Sequence, residues 1–147
     1  MSELPDTDDA RRALPPSTDD ERRAAGMRTR REVLGDAWVD RAVAGTTPFT
    51  ADFQDFITRV AWGDIWQRPG LSRRDRSLMT LSITIALRHW DEFALHVRAA
   101  ITNGVTEAEI AEVLQHCAVY AGVPAANHAF ADLGAGRLDV PVAIPPG

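Results

Sequence analysis

A chain of 147 residues, 45% hydrophobic and 25% charged, fits one ordinary domain and is too short for two of independent stability. No apolar run approaches the roughly 20 residues needed to cross a bilayer, which excludes a helical membrane span. The net charge of −5, with no clustered basic face, argues against nucleic acid as a partner.

Residues 1–20 mix Pro5, Pro15 and Pro16 with Asp6, Asp8, Asp9, Asp19 and Asp20, a composition that buries too little apolar surface to offset ordering. A disordered lead-in is expected there, followed by a helical domain over 21–137 and a proline-marked tail over 138–147. From Asp20 the pattern predicts short helical turns broken at Gly26 and Gly35, with Val33, Leu34, Trp38, Val39 and Val43 as apolar positions. Thr50 is placed to cap a helix through Phe53, Phe56, Ile57, Val60 and Ala61 that stops near Arg68-Pro69-Gly70 and sets Trp62 and Trp66 one turn apart.

Ser72 and Asp75 resemble a capping box opening a helix that is apolar nearly all round, with Leu78, Met79, Leu81, Ile83, Ile85 and Leu87. It reads as the central buried helix. The next begins near Trp90 and ends at Asn103-Gly104, a left-handed C-cap signal. Thr106 and Glu109 form a second capping box, opening a stripe of Ile110, Val113, Leu114, Cys117, Ala118 and Ala121. Gly122 closes that helix, and Pro124 suits the first turn of a last one. Strand signals are absent, so the fold class is all-α.

Glu92 and His96 lie four apart on one helical face, where a carboxylate can orient the ring or raise its pKa, as a proton donor near neutral pH requires. The same spacing is also that of a surface ion pair. His116 and Tyr120 repeat it, and His128 follows the Pro124 turn. The four histidines, His89, His96, His116 and His128, make no compact metal signature, and no metal is expected. Cys117 falls on a core stripe with no partner cysteine, consistent with a buried small side chain in a reducing compartment. All 16 basic residues are Arg, so lysine Schiff-base chemistry is closed. Arg73, Arg74 and Arg76 cluster at a helix amino end, where an anion is favoured and an Arg fork can hold a carboxylate in two bonds; Arg76 is the preferred candidate. The acidic start MSELPDTDDARR lacks the features of a secretory signal, so a cytoplasmic protein is expected.

Three segments carry a resemblance: RREVLGDAWVDRA at 30–42 taken with its neighbours, AWGDIWQRPGLSRRDRSLMTLSITIAL at 61–87, and HVRAAITNGVTEAEIAEVLQHCAVYAGVPAANHAF at 96–130. Together they resemble the carboxymuconolactone decarboxylase family over about residues 20–135. Asp64 stands where that family more often shows Glu, and Trp38 where His or Tyr is expected. The resemblance implies an alkylhydroperoxidase D-like helical bundle that assembles as a homo-oligomer, a trimer or hexamer. The peroxidase branch of that fold uses a C-x-x-C followed by His. The matching stretch here is His89-Trp90-Asp91-Glu92 with His96, so peroxidase chemistry is not expected.

The activity the resemblance implies is conversion of 4-carboxymuconolactone to 3-oxoadipate enol-lactone and carbon dioxide in protocatechuate catabolism. The unsaturated lactone itself accepts the electrons released, so no cofactor is demanded. The implied roles are Arg76 as carboxylate fork, Ser77 and Tyr120 as donors to the enolate oxygen, His96 supported by Glu92 as acid, and Trp66 as an apolar wall. His116 and His128 are the next candidates for the acid. The alternatives are a same-fold enzyme on another lactone or a peroxide, and a non-catalytic oligomer that binds an aromatic-derived acid.

Overall fold

The computed structural model describes residues 18–136, and the expected lead-in before Thr18 and the tail from 138 lie outside them. Every regular element among the described residues is helical, so the all-α expectation holds. The chain divides between Ser72 and Arg73 into two compact units.

The first unit begins with α1 (Asp19–Leu34), whose capping box joins Thr18 and Glu21 and whose first turn is acidic, matching the positive helix end. Contrary to the expected break, α1 runs through Gly26, because that residue serves packing and does not end the helix. A Cβ at Gly26 would meet the Thr58 carbonyl oxygen and lie 2.9 Å from the Gly63 nitrogen. A Cβ at Gly63 would in turn meet the Arg22 carbonyl. Two backbones therefore touch where side chains would hold them apart.

After α2 (Asp36–Ala44), α3 (Ala51–Ile57) passes without interruption into a π-helical stretch, Thr58–Ile65. Thr50 does not cap α3; its hydroxyl bonds within the Thr47–Thr50 turn instead. The π stretch is the element that periodicity did not predict, since one added residue per turn shifts the register of a 3.6-residue pattern. Asp55 joins the two sides of this unit, accepting bonds from Arg23 Nε at 2.5 Å and Arg59 Nε at 2.6 Å.

The second unit contains α4 (Arg73–Ala86), α5 (Trp90–Thr102), α6 (Glu107–Tyr120) and α7 (Val123–Gly134). Their core gathers Leu81, Ile85, Phe93, Val97, Ala100, Ile110, Leu114, Ala125 and Ala129, and each large side chain buried there contributes about 1.5–3 kcal/mol. The expected C-cap is present, with Gly104 at φ +89°, a conformation in which a Cβ is strained. The Thr106–Glu109 capping box also forms, and Arg74 ties to Glu109. Pro124 opens α7 as expected.

The expectation that α4 is buried all round is corrected. It buries Leu81 and Ile85, while Met79, Ile83 and the adjoining Leu87 are exposed. The four helices of this unit supply enough partners for one face of α4 only.

Candidate active site

The turn from α4 to α5 is closed by backbone bonds from Arg88 N to Ile85 O and from His89 N to Thr84 O. Arg88 takes the left-handed conformation, φ +57°, uncommon for a residue with a side chain. The turn and the first residues of α5 line an open depression of about 490 Å³, formed by Arg88, His89, Trp90, Asp91 and Glu92. Open backbone amides at a helix start favour negative charge there.

Glu92 lies on this depression, and one helical turn further on its Oε2 is 3.9 Å from His96 Nε2. The two differ sharply in exposure, at 62% for the Glu92 side chain and 10% for His96. Burial pushes the His96 ring down from its ordinary value to about 4, because a charged imidazolium loses its hydration there. The spacing suggested that Glu92 would raise this pKa. Desolvation dominates instead, since an exposed carboxylate at that distance is screened by water.

His128 on α7 lies over Trp90, with ring centroids 4.0 Å apart and planes 16° from parallel. Its Nε2 is 3.1 Å from Asp132 Oδ2. Glu92, Trp90 and His128 thus belong to one neighbourhood, with His96 behind Glu92. Asp132 was not singled out from sequence, although its i,i+4 spacing to His128 was the available signal.

The remaining candidates fall elsewhere in their units. Arg76 is buried in the first turn of α4 at 8% exposure. Ser77 is fully buried and accepts a 3.0 Å bond from Asn103 Nδ2, linking α4 to the end of α5. Tyr120, at the last turn of α6, is 81% exposed and rests against the His116 ring at 4.8 Å. Trp66 belongs to the first unit, where it stacks on Trp62 at 5.1 Å. Asp64 accepts from Arg22 at 2.9 Å, which accounts for it as a packing contact of the π stretch. Cys117 is a buried free thiol. Among the described residues no three His, Cys, Asp or Glu side chains converge as metal ligands, and no helix is long and apolar enough to cross a membrane.

Residues 51–133 match the model of the carboxymuconolactone decarboxylase family, and this stretch holds every candidate named above. A 4-carboxymuconolactone decarboxylase from Acinetobacter baylyi is 47% identical over 116 residues, covering 74% of this chain and 87% of that protein. A nitrosuccinic acid decarboxylase from Metarhizium robertsii is 50% identical over 105 residues, 71% of this chain and 73% of that one. A 4-carboxymuconolactone decarboxylase from Pseudomonas putida matches over a shorter span, 55% identical across 40 residues, 27% of this chain and 83% of that protein. A family match across more than half the chain, with a relative aligned over most of both lengths, makes this chain a member of the carboxymuconolactone decarboxylase family.

Proposed function

We propose that this chain removes carbon dioxide from 4-carboxymuconolactone to give 3-oxoadipate enol-lactone, in the protocatechuate branch of the 3-oxoadipate pathway, with no metal or organic cofactor. The observation that carries the reading is the match to the Acinetobacter baylyi enzyme, which extends over 87% of that protein's length.

In the proposed reaction the bond from ring carbon to the departing carboxylate breaks, and its electron pair moves through the unsaturated lactone onto the carbonyl oxygen. Carbon dioxide leaves, and a proton is added to carbon. The substrate is its own electron sink, so the protein has to bind anions, stabilise the developing oxyanion and deliver one proton. Arg76 is assigned to a carboxylate, His96 with Glu92 to the proton, and Ser77 and Tyr120 to the oxyanion. Trp66 is assigned as an apolar wall, and His128 and His116 as further substrate contacts.

With its pKa near 4, His96 is neutral at pH 7 in the empty site. A substrate bearing negative charge shifts that value back upward by Coulomb attraction, which favours the protonated ring when substrate is bound. Residues 21–137 act as one functional domain in this reading. A cytoplasmic location belongs to it too, in keeping with a lone reduced thiol at Cys117. A homo-oligomer, trimer or hexamer, is also part of the proposal. Its support is the exposed apolar surface at Met79, Ile83, Leu87, Val119 and Val123, of the kind that subunit contacts cover.

A second reading is favoured by the 50% identity to the nitrosuccinic acid decarboxylase. A nitro group accepts an electron pair as readily as an unsaturated lactone, so the same residues could serve either acid. Carbon dioxide release from each substrate, with EDTA present, tests both. Turnover of the lactone supports the first reading and turnover of nitrosuccinate alone the second. Binding without release from either would make the protein a sensor or accessory subunit.

A further inference from the structure

Arg88 holds a backbone conformation that its own side chain makes costly. Its φ of +57° lies in the left-handed region, where a Cβ crowds the following carbonyl oxygen and glycine or asparagine is the usual occupant. The turn fixes this conformation from both sides. Arg88 N donates to Ile85 O at 3.0 Å and His89 N to Thr84 O at 2.9 Å, and both acceptor residues are buried. Glycine at this position would take the same turn with less strain. A backbone outlier held against the preference of its side chain points to a use for that side chain.

The guanidinium has open space in front of it. Arg88 is exposed and lines the depression of about 490 Å³ together with His89, Trp90, Asp91 and Glu92. Among the described residues no carboxylate forms an ion pair with Arg88, whereas Arg22, Arg23, Arg31, Arg59 and Arg74 each have an acidic partner. Its five N–H donors therefore meet a ligand without giving up a partner in the protein.

Charge in the depression is divided along the chain. Arg88 precedes α5, while Asp91 and Glu92 belong to its first turn. His89, the N-cap, gives no side-chain bond to the amides of that turn, so the helix end adds to the attraction for an anion. A ligand carboxylate is drawn to Arg88 and held away from Asp91 and Glu92 by like charge. The other end of the same ligand is then directed toward Glu92, whose Oε2 is 3.9 Å from His96 Nε2. All of these residues belong to the second unit.

We propose that Arg88 binds the carboxylate that the substrate keeps through the reaction, and that the left-handed turn presents its guanidinium to the depression for this contact. The identity of the ligand rests on the function proposed above: the acids named for the relatives carry more than one carboxyl group, and one leaves as carbon dioxide. The planar fork of an arginine meets the two oxygens of the other in two parallel bonds. Arg88 in this role binds and orients substrate and transfers no proton.

Two measurements test this independently of each other. In the first, the backbone amide resonances of residues 88–92 are followed by NMR while succinate, a dicarboxylate that cannot react, is added at constant ionic strength. Saturable movement is expected in the wild type and none in Arg88→Gly; fixed resonances in the wild type at high millimolar succinate, or equal movement in the variant, overturn the proposal. In the second, Arg88→Gly and Arg88→Lys are compared with wild type on 4-carboxymuconolactone. For Arg88→Gly, KM is expected to rise about tenfold or more, the effect of losing one charged hydrogen-bonded contact, with kcat changed much less, and Tm is expected at or above that of wild type because the strain is gone. Arg88→Lys keeps the charge without the fork and is expected to fall between the two. KM of Arg88→Gly within about twofold of wild type, or a Tm well below it, would show that the arginine serves the turn and not the ligand. If wild type turns over neither acid but its amides answer to succinate through Arg88, the carboxylate site stands and the assigned reaction falls.

Discussion

Replacing Gly26 or Gly63 by alanine tests whether the crossing of α1 with the π stretch organises the first unit. An alanine methyl at position 26 would lie 2.9 Å from Gly63 N and 3.0 Å from Thr58 C; one at 63 would lie 3.0 Å from Arg22 C. Ordinary contact begins near 3.4 Å, and the carbonyl oxygens of Thr58 and Arg22 lie closer than any of these atoms, so the segments must part by more than the roughly 0.5 Å that relieves the Gly63 N contact alone. All these atoms are backbone, and no side chain can rotate away. A gap of that size along a packed interface forfeits about a quarter of the dispersion energy of the atoms lining it, and overpacking typically costs about 1–3 kcal/mol. Alanine returns about 1 kcal/mol through helix propensity. With rigid backbone on both sides the cost lies at the upper end or beyond, leaving each variant at least about 2 kcal/mol less stable. For a chain of this length that lowers Tm by at least about 6 °C. Gly134→Ala is the control, since its added methyl meets nothing within 4 Å, and a gain of up to about 1 kcal/mol is expected there. Calorimetry on the three variants decides the matter. Melting of Gly26→Ala or Gly63→Ala at or above wild type would refute the close-crossing argument.

Three further outcomes follow from the second unit. His96→Gln should lower kcat about 10²- to 10⁴-fold, the usual contribution of a positioned acid; an unchanged kcat in steady-state assays would move the proton to His128 or His116. His96 should also impose a pH dependence on stability. Its folded pKa of about 4 lies below the unfolded value near 6.5, so the unfolded chain binds the extra proton between those limits. The stability it contributes is present above pH 6.5 and is lost as pH falls toward 4, by up to about 3 kcal/mol. Urea unfolding from pH 7 to pH 4, compared with His96→Gln, measures this term, and identical slopes in the two proteins would discount it. Thr106→Ala removes the hydroxyl that caps Glu109 N at 3.2 Å and should cost about 1 kcal/mol, read as a lower urea midpoint; an unchanged midpoint would show that the cap contributes nothing.

The helical class, the capping box at Thr106, the Asn103-Gly104 stop and the Pro124 start could be read directly from the chain, because each depends on residues within one turn of one another. Pairing of Glu92 with His96 was legible for the same reason. Its electrostatic sense was not: four-residue spacing brings the carboxylate near, whereas the depth at which tertiary packing buries the ring sets the sign of the shift. Gly26 shows the same limit from the other side. As sequence it reads as a helix breaker, and only the backbone passing against it, from residues 58 and 63, reveals that its missing side chain is what lets the helix continue in place. Arg30 gave no signal beyond its charge, yet it is buried, with Thr58 and Gln54 as hydrogen-bond acceptors and Trp38 beside its guanidinium, side chains that come from three further elements. Local hydrogen bonding and periodicity are encoded over a few residues, so the sequence by itself determined the helical class and the ends marked by local caps, at Asn103-Gly104, Thr106 and Pro124. Burial depends on contacts between distant segments, so only the tertiary structure decided which candidates are buried and which are exposed.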